Sequence, residues 1–199
     1  VVAGIGHNNG PKQLGLGWQK QCWTQSRNAL IGKRMPIEVV RTRIRRAREL
    51  GLEYPQYASI LLGSGRDVIG FLFTVDGLQL KLRKRLEMPD TVQDKLRRLE
   101  HVSLMSFAPS GEAPAAFLRE VSNVAGVPFL SAAPEVEGVL GWSGARAAVR
   151  AVLDPLKMPS GGVVMIGTRE SEARMAQAAK MSRFIPSGAF FGTVSANSA

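Results

Sequence analysis

The chain has 199 residues, 45% of them apolar and 21% charged, proportions that allow a globular domain with its own core and exclude a wholly disordered chain. No run reaches eighteen apolar residues, which excludes a conventional membrane-spanning helix, and residues 4–10 are polar and glycine-rich rather than patterned like a secretory signal. A single cysteine, Cys22, excludes an intrachain disulfide framework or a cysteine metal cage and points to a reducing, cytoplasmic setting.

The net charge is +10, and it is unevenly placed: residues 1–101 hold 18 Lys and Arg against 9 Asp and Glu, whereas residues 102–199 hold 8 against 7. A field polarised in this way attracts polyanions or acidic surfaces without specifying a fold.

In chain order, residues 1–34 read as an arm. Its first half is rich in glycine and asparagine, and its second half carries Trp18, Trp23, Leu30 and Ile31 among basic and polar side chains. Met35–Leu50 has the marks of a helix: Pro36 suits a first turn, Glu38 complements the positive helix start, and Gly51 supplies the stop. Ile37, Val40, Ile44 and Ala47 recur at helical spacing and predict a buried stripe. A second short helix is predicted over Tyr54–Leu62, so residues 35–65 form a basic helical extension.

From residue 66 the pattern becomes an alternation of strands and helices. Val68–Val75 is an apolar run, Thr91–Glu100 a helix, Val102–Phe107 a strand and Pro114–Ala125 a helix stopped by Gly126. Val127–Ser131 is a strand, Ser143–Leu156 a helix, Val163–Ile166 a buried strand, Glu170–Lys180 a helix and Phe184–Ile185 a last short strand. Such alternation predicts an α/β domain over 66–192 with a doubly wound, mainly parallel sheet, followed by a tail at 193–199. Ligands of such sheets bind at the carboxyl ends of the strands, here Thr74–Gly77, Ser106–Gly111, Ser131–Glu135 and Gly167–Glu172.

Phe73-Thr74-Val75-Asp76-Gly77-Leu78 resembles the first motif of the haloacid dehalogenase-like (HAD) superfamily, Asp-x-Asp-Gly-Thr after an apolar strand. Leu104-Met105-Ser106 falls where the second motif places Ser or Thr, and Val163–Gly167 with Thr168, Glu170 and Glu172 resembles the fourth. The resemblance covers about residues 66–192 in the family's order and implies a Rossmannoid fold. It also implies a phosphoryl-transfer site in which the first Asp is nucleophile, the second is general acid and base, a Lys steadies charge, and fourth-motif acids hold Mg²⁺.

The departures decide the expectation. Thr74 occupies the nucleophile position, Thr168 stands where a metal-holding Asp belongs, and only Asp76 survives. The basic groups nearest the third motif are Arg146 and Lys157. A threonine hydroxyl is a far poorer nucleophile than a carboxylate unless a base lies beside it, and Mg²⁺ requires an oxygen shell anchored by carboxylates. The reading is therefore a non-catalytic HAD-like domain without cofactor, with Asp76 capping the turn that follows it. The alternative is a Mg²⁺-dependent phosphohydrolase using Asp76, Thr74 and Ser106, with Asp76, Glu170 and Glu172 holding the metal.

Gly63-Ser64-Gly65 and Gly161-Gly162 lack the register of a phosphate-binding loop, and His7 and His101 are the only histidines, too few for a histidine metal site. His101 is expected to end a helix. Arg41, Arg43, Arg45, Arg46 and Arg48 form the strongest binding signal, because no acid lies among them to lace them into local ion pairs. Lys81, Arg83, Lys84, Arg85, Arg97 and Arg98 extend the basic inventory. With Trp18 and Trp23 as stacking or anchoring groups, the arginines predict docking on nucleic acid or an acidic protein surface. A third expectation is a structural subunit of a larger assembly, its arm threaded into neighbours.

Overall fold

A computed structural model describes residues 35–82, 86–136 and 141–192. The expectations for the arm, with Trp18, Trp23, Cys22 and His7, those for Arg83, Lys84 and Arg85, and that for the tail lie outside these residues. The chain divides into two units, Val1–Arg41 and Thr42–Ala199. Of the first, the described part is Met35–Arg41, in which Arg41 pairs with Glu38 at 2.9 Å.

The second unit is an α/β fold built on a five-stranded sheet in the order β5-β4-β1-β6-β7. Its strands are β1 (Gly70–Phe73), β4 (Ser103–Ala108), β5 (Phe129–Pro134), β6 (Val163–Gly167) and β7 (Arg183–Pro186), every neighbouring pair parallel. A two-stranded antiparallel ribbon, β2 (Lys81–Leu82) and β3 (Leu86–Glu87), lies outside the sheet. The helices are α1 (Ile37–Glu49), α2 (Tyr54–Ser64), α3 (Asp90–Arg97), α4 (Pro114–Ala125), α5 (Trp142–Leu153), α6 (Glu170–Ala178) and α7 (Ser187–Phe191). This is the doubly wound arrangement of a Rossmannoid sheet.

The strand sequences explain why both faces are covered. Successive side chains of a strand point to opposite faces, and here both sets are apolar. Phe71, Phe73, Val164 and Ile166 join one core with α2, α3, α4 and α7, whereas Leu72, Met105, Val163 and Met165 join a second with α5 and α6. The first core is rich in aromatic rings: Phe71 lies 5.1 Å from Phe190 and Phe73 lies 6.0 Å from Phe129, centroid to centroid. Burial on both faces is the reason the strands read as continuous apolar runs rather than alternating ones.

Several expectations change in detail. The buried stripe of α1 narrows to Ala47, continued by Leu50, while Ile37 is 64% exposed. Helix α3 ends at Arg97, so His101 does not end a helix. It sits in the bend before β4 with φ 53° and offers its carbonyl to Arg46. Among the described residues, no helix is long and apolar enough to cross a membrane.

Candidate functional site

The parallel strands bring their carboxyl ends to one edge, and four segments meet there. Thr74 follows β1, with its backbone N–H donating to Ile166 O at 3.0 Å. Its side chain is buried, and Oγ1 accepts the Gly77 N–H at 3.0 Å. The hydroxyl thus fixes the 3-10 turn Asp76–Leu78 and points into backbone. Gly77 is obligatory here: a Cβ would lie 2.4 Å from Ile166 O and 2.9 Å from Thr74 Oγ1. Ser187 closes the turn from the other side by donating to Gly77 O at 2.7 Å.

Asp76 does not cap this turn. Thr74 does so, because its shorter side chain already occupies the acceptor position. Released from that task, the Asp76 carboxylate faces Arg169, with Nη2 at 3.1 Å from Oδ2. The same Nη2 lies 2.8 Å from Glu135 Oε1, just past the end of β5, and Arg169 Nε lies 3.3 Å from Glu172 Oε1. Burial pulls the Arg169 pKa down, but the fields of Glu172, Asp76 and Glu135 more than offset this and raise it above its ordinary value. One guanidinium therefore lies against three carboxylates from three segments of the chain.

Glu172 is held for a second reason. It is buried at the start of α6, and Oε2 accepts the N–H groups of Thr168 at 2.6 Å and Arg169 at 2.8 Å. These are helix-start donors without partners inside the helix, and a carboxylate there also meets the positive end of the helix dipole. Gly167 makes room for it, since a Cβ there would lie 2.3 Å from Glu172 Oε2.

The residues proposed from sequence as a metal set are not gathered. Glu170 lies on the outer side of α6 and pairs with Arg174 at 2.7 Å, and this hydrogen bond lowers its pKa. Glu172 is turned to the backbone, and Asp76 to Arg169. Among the described residues no group of three or more His, Cys, Asp and Glu side chains could hold a metal ion. Ser106 is buried inside β4, its Oγ within donating reach of Phe107 O at 2.9 Å and Phe73 O at 3.2 Å, so it serves the sheet. Arg146 offers Nε to Ala178 O at 3.4 Å, and Lys157 occupies a turn six residues before β6; neither approaches the strand-end carboxylates.

Sequence reasoning missed Arg169 and Glu135 as site residues. The legible signals were the spacing of Arg169 to Glu172, three apart at a helix start, and the place of Glu135 immediately after a strand.

The arginine segment also departs from expectation, because the acids that pair with it flank it or come from elsewhere in the chain. Arg46 donates Nε to Asp67 at 2.9 Å and Nη1 to Glu49 at 3.0 Å, and Nη2 to the carbonyls of Val68 at 2.8 Å and His101 at 3.1 Å. Burial lowers its pKa, and the bonds and fields of Glu49 and Asp67 outweigh that and raise it. Arg45 approaches Glu49 only to 3.9 Å with an exposed side chain. Arg45 and Arg48 are exposed and Arg43 is half-buried, whereas Arg46 is part of the frame.

No protein-family description and no curated protein matches this chain.

Proposed function

We propose that this protein is a catalytically silent HAD-like domain that works by binding, docking on a polyanion, either nucleic acid or an acidic protein surface, through Arg43, Arg45 and Arg48. The observation that carries the silent half is Arg169. Its guanidinium lies within 3.3 Å of Asp76, Glu135 and Glu172 and supplies from within the chain the positive charge that a bound cation would otherwise contribute. Thr74, in the position the resemblance gives to the nucleophile, spends its acceptor on Gly77 N–H. Among the described residues, no group of three or more acids at the strand ends could hold a cation, and Asp76 is paired with Arg169. The docking half is supported by the charge excess of the first half of the chain, by Arg43 and Arg48, which form no ion pair among the described residues, and by Arg45, whose exposed guanidinium meets Glu49 only at 3.9 Å.

Two measurements test the reading. Hydrolysis of a general phosphate ester with Mg²⁺ is expected to be the same for wild type and Asp76→Asn; turnover that Asp76→Asn abolishes would overturn the silent half. Purified at low salt, the full chain is expected to carry a polyanion that high salt releases and that an Arg45→Gln/Arg48→Gln variant retains poorly. Absorbance at 260 nm separates nucleic acid from an acidic protein. A variant that retains the same material as wild type would overturn the docking half.

A further inference from the structure

Beyond the docking reading, we propose that the protein has a second anion site, at the amino ends of its parallel strands, for a small molecule bearing two or more phosphate groups. A concave space of about 580 Å³ opens there, within the range of about 300–1,000 Å³ typical of metabolite sites. Arg66 reaches it from the segment before β1, Lys180 from the segment before β7, and Arg146 and Arg150 from one face of α5. Because all the strands run the same way, this edge is opposite the one that holds Arg169.

The charge of this space is unbalanced. Four cations line it against one acid, Asp154, a difference of +3. Most other arginines of the described fold meet carboxylates: Arg41, Arg45, Arg46, Arg97, Arg169 and Arg174 each lie within 4 Å of one. None of the four lining cations belongs to an ion pair among the described residues. Like charges converging on a concave surface raise each other's energy and focus a positive potential into it, and a multivalent anion removes that cost. Guanidinium groups are matched to phosphate oxygens in geometry as well as in charge.

The shape of the lining narrows the ligand. Val149, Leu153 and Met158 give it an apolar floor, and among the described residues no aromatic side chain lines it. An apolar floor under a cationic rim suits a short carbon skeleton carrying phosphates, while the lack of a stacking ring disfavours a nucleobase. The rim is built before any ligand arrives. Ser182 Oγ donates to Gly161 O at 2.6 Å and Ser160 Oγ to Lys180 O at 3.4 Å. Lys180 keeps a left-handed backbone with φ 54°, a conformation uncommon for a residue with a side chain. These bonds fix the backbone from which Lys180 reaches, which lowers the ordering cost of binding.

Calorimetric titration of the full chain with inorganic tripolyphosphate tests the site. Saturable one-to-one binding is expected, weakened about tenfold or more by Arg150→Gln/Lys180→Gln and altered less than about twofold by Arg98→Gln/Arg119→Gln, which removes two exposed cations elsewhere. These side chains are exposed, so the unfolding midpoints of both variants should match wild type. No binding, heat that never saturates, or equal weakening by the two variants would overturn the proposal. None of these outcomes bears on retention through Arg45 and Arg48, so the docking reading stands or falls separately.

Discussion

Arg169 Nη2 lies 3.1 Å from Asp76 Oδ2, so the carboxylate that follows β1 is paired from within the chain itself. Both side chains are 53% exposed, which keeps the pair's contribution to stability near about 1 kcal/mol or below. The larger consequence is electrostatic. Arg169→Met removes the guanidinium that Asp76, Glu135 and Glu172 share, and millimolar Mg²⁺ or Ca²⁺ should then raise the variant's unfolding midpoint by about 2–4 °C through preferential binding to the folded state. The wild type should not respond. Thermal unfolding with and without the ion reads both outcomes, and an equal response in the two proteins would refute the counter-ion role.

The turn after β1 offers a test of fine packing. Gly77→Ala places a Cβ against Ile166 O and Thr74 Oγ1 and should destabilise by about 3 kcal/mol, the upper end for overpacking. Thr74→Val keeps the shape but removes the acceptor for Gly77 N–H, leaving a buried donor unpaired at a cost of about 1–2 kcal/mol. Urea unfolding should rank them in that order.

Arg46 separates a framing cation from a surface one. Its fork satisfies Asp67, Glu49 and the carbonyls of Val68 and His101 at once, a geometry a lysine cannot reproduce. Arg46→Lys should lower stability by about 2 kcal/mol, whereas Arg48→Lys, at an exposed position, should stay within about 0.5 kcal/mol of wild type. Denaturant midpoints at constant m-value give the comparison.

Tyr57 predicts an alkaline limb of the stability curve. Burial and the hydrogen bond it donates to Asp67 at 3.0 Å push its pKa up from 10.0 to about 12. Below the unfolded value both states keep the proton, and the stabilisation is complete. As pH rises from about 10 towards 12 the unfolded chain loses the proton first, so stability falls through that window. Tyr57→Phe should start less stable at neutral pH, having lost the bond to Asp67, and should show a shallower decline between pH 10 and 12. Unfolding midpoints across that range would show it, and parallel curves for the two proteins would remove Tyr57 as the cause.

Much of the fold was legible because strands buried on both faces must be apolar throughout. Phe71–Phe73 and Val163–Ile166 announce themselves in this way, and Pro114 and Gly126 bracket α4 with the residues that start and stop helices. The ribbon β2–β3 and the short helix α7 were not read, because two-residue strands and a five-residue helix carry too few side chains to display a period. The place of Arg46 in the frame was not legible for a related reason, beyond its local pair with Glu49. Its partners Asp67, Glu100 and His101 lie 21, 54 and 55 residues away, a distance over which sequence spacing says nothing about contact.

The chain by itself determined that an α/β sheet would form and that Thr74 and Thr168 would follow strands at its carboxyl edge, since residue identity and apolar pattern are local properties. Only the tertiary structure decided what the remaining acids do. Asp76, Glu135 and Glu172 come from segments 37 to 96 positions apart, and the parallel order β5-β4-β1-β6 brings their strand ends to one edge, where Arg169 meets all three. Charge compensation acts through space, so it becomes visible only once the strands are placed in order.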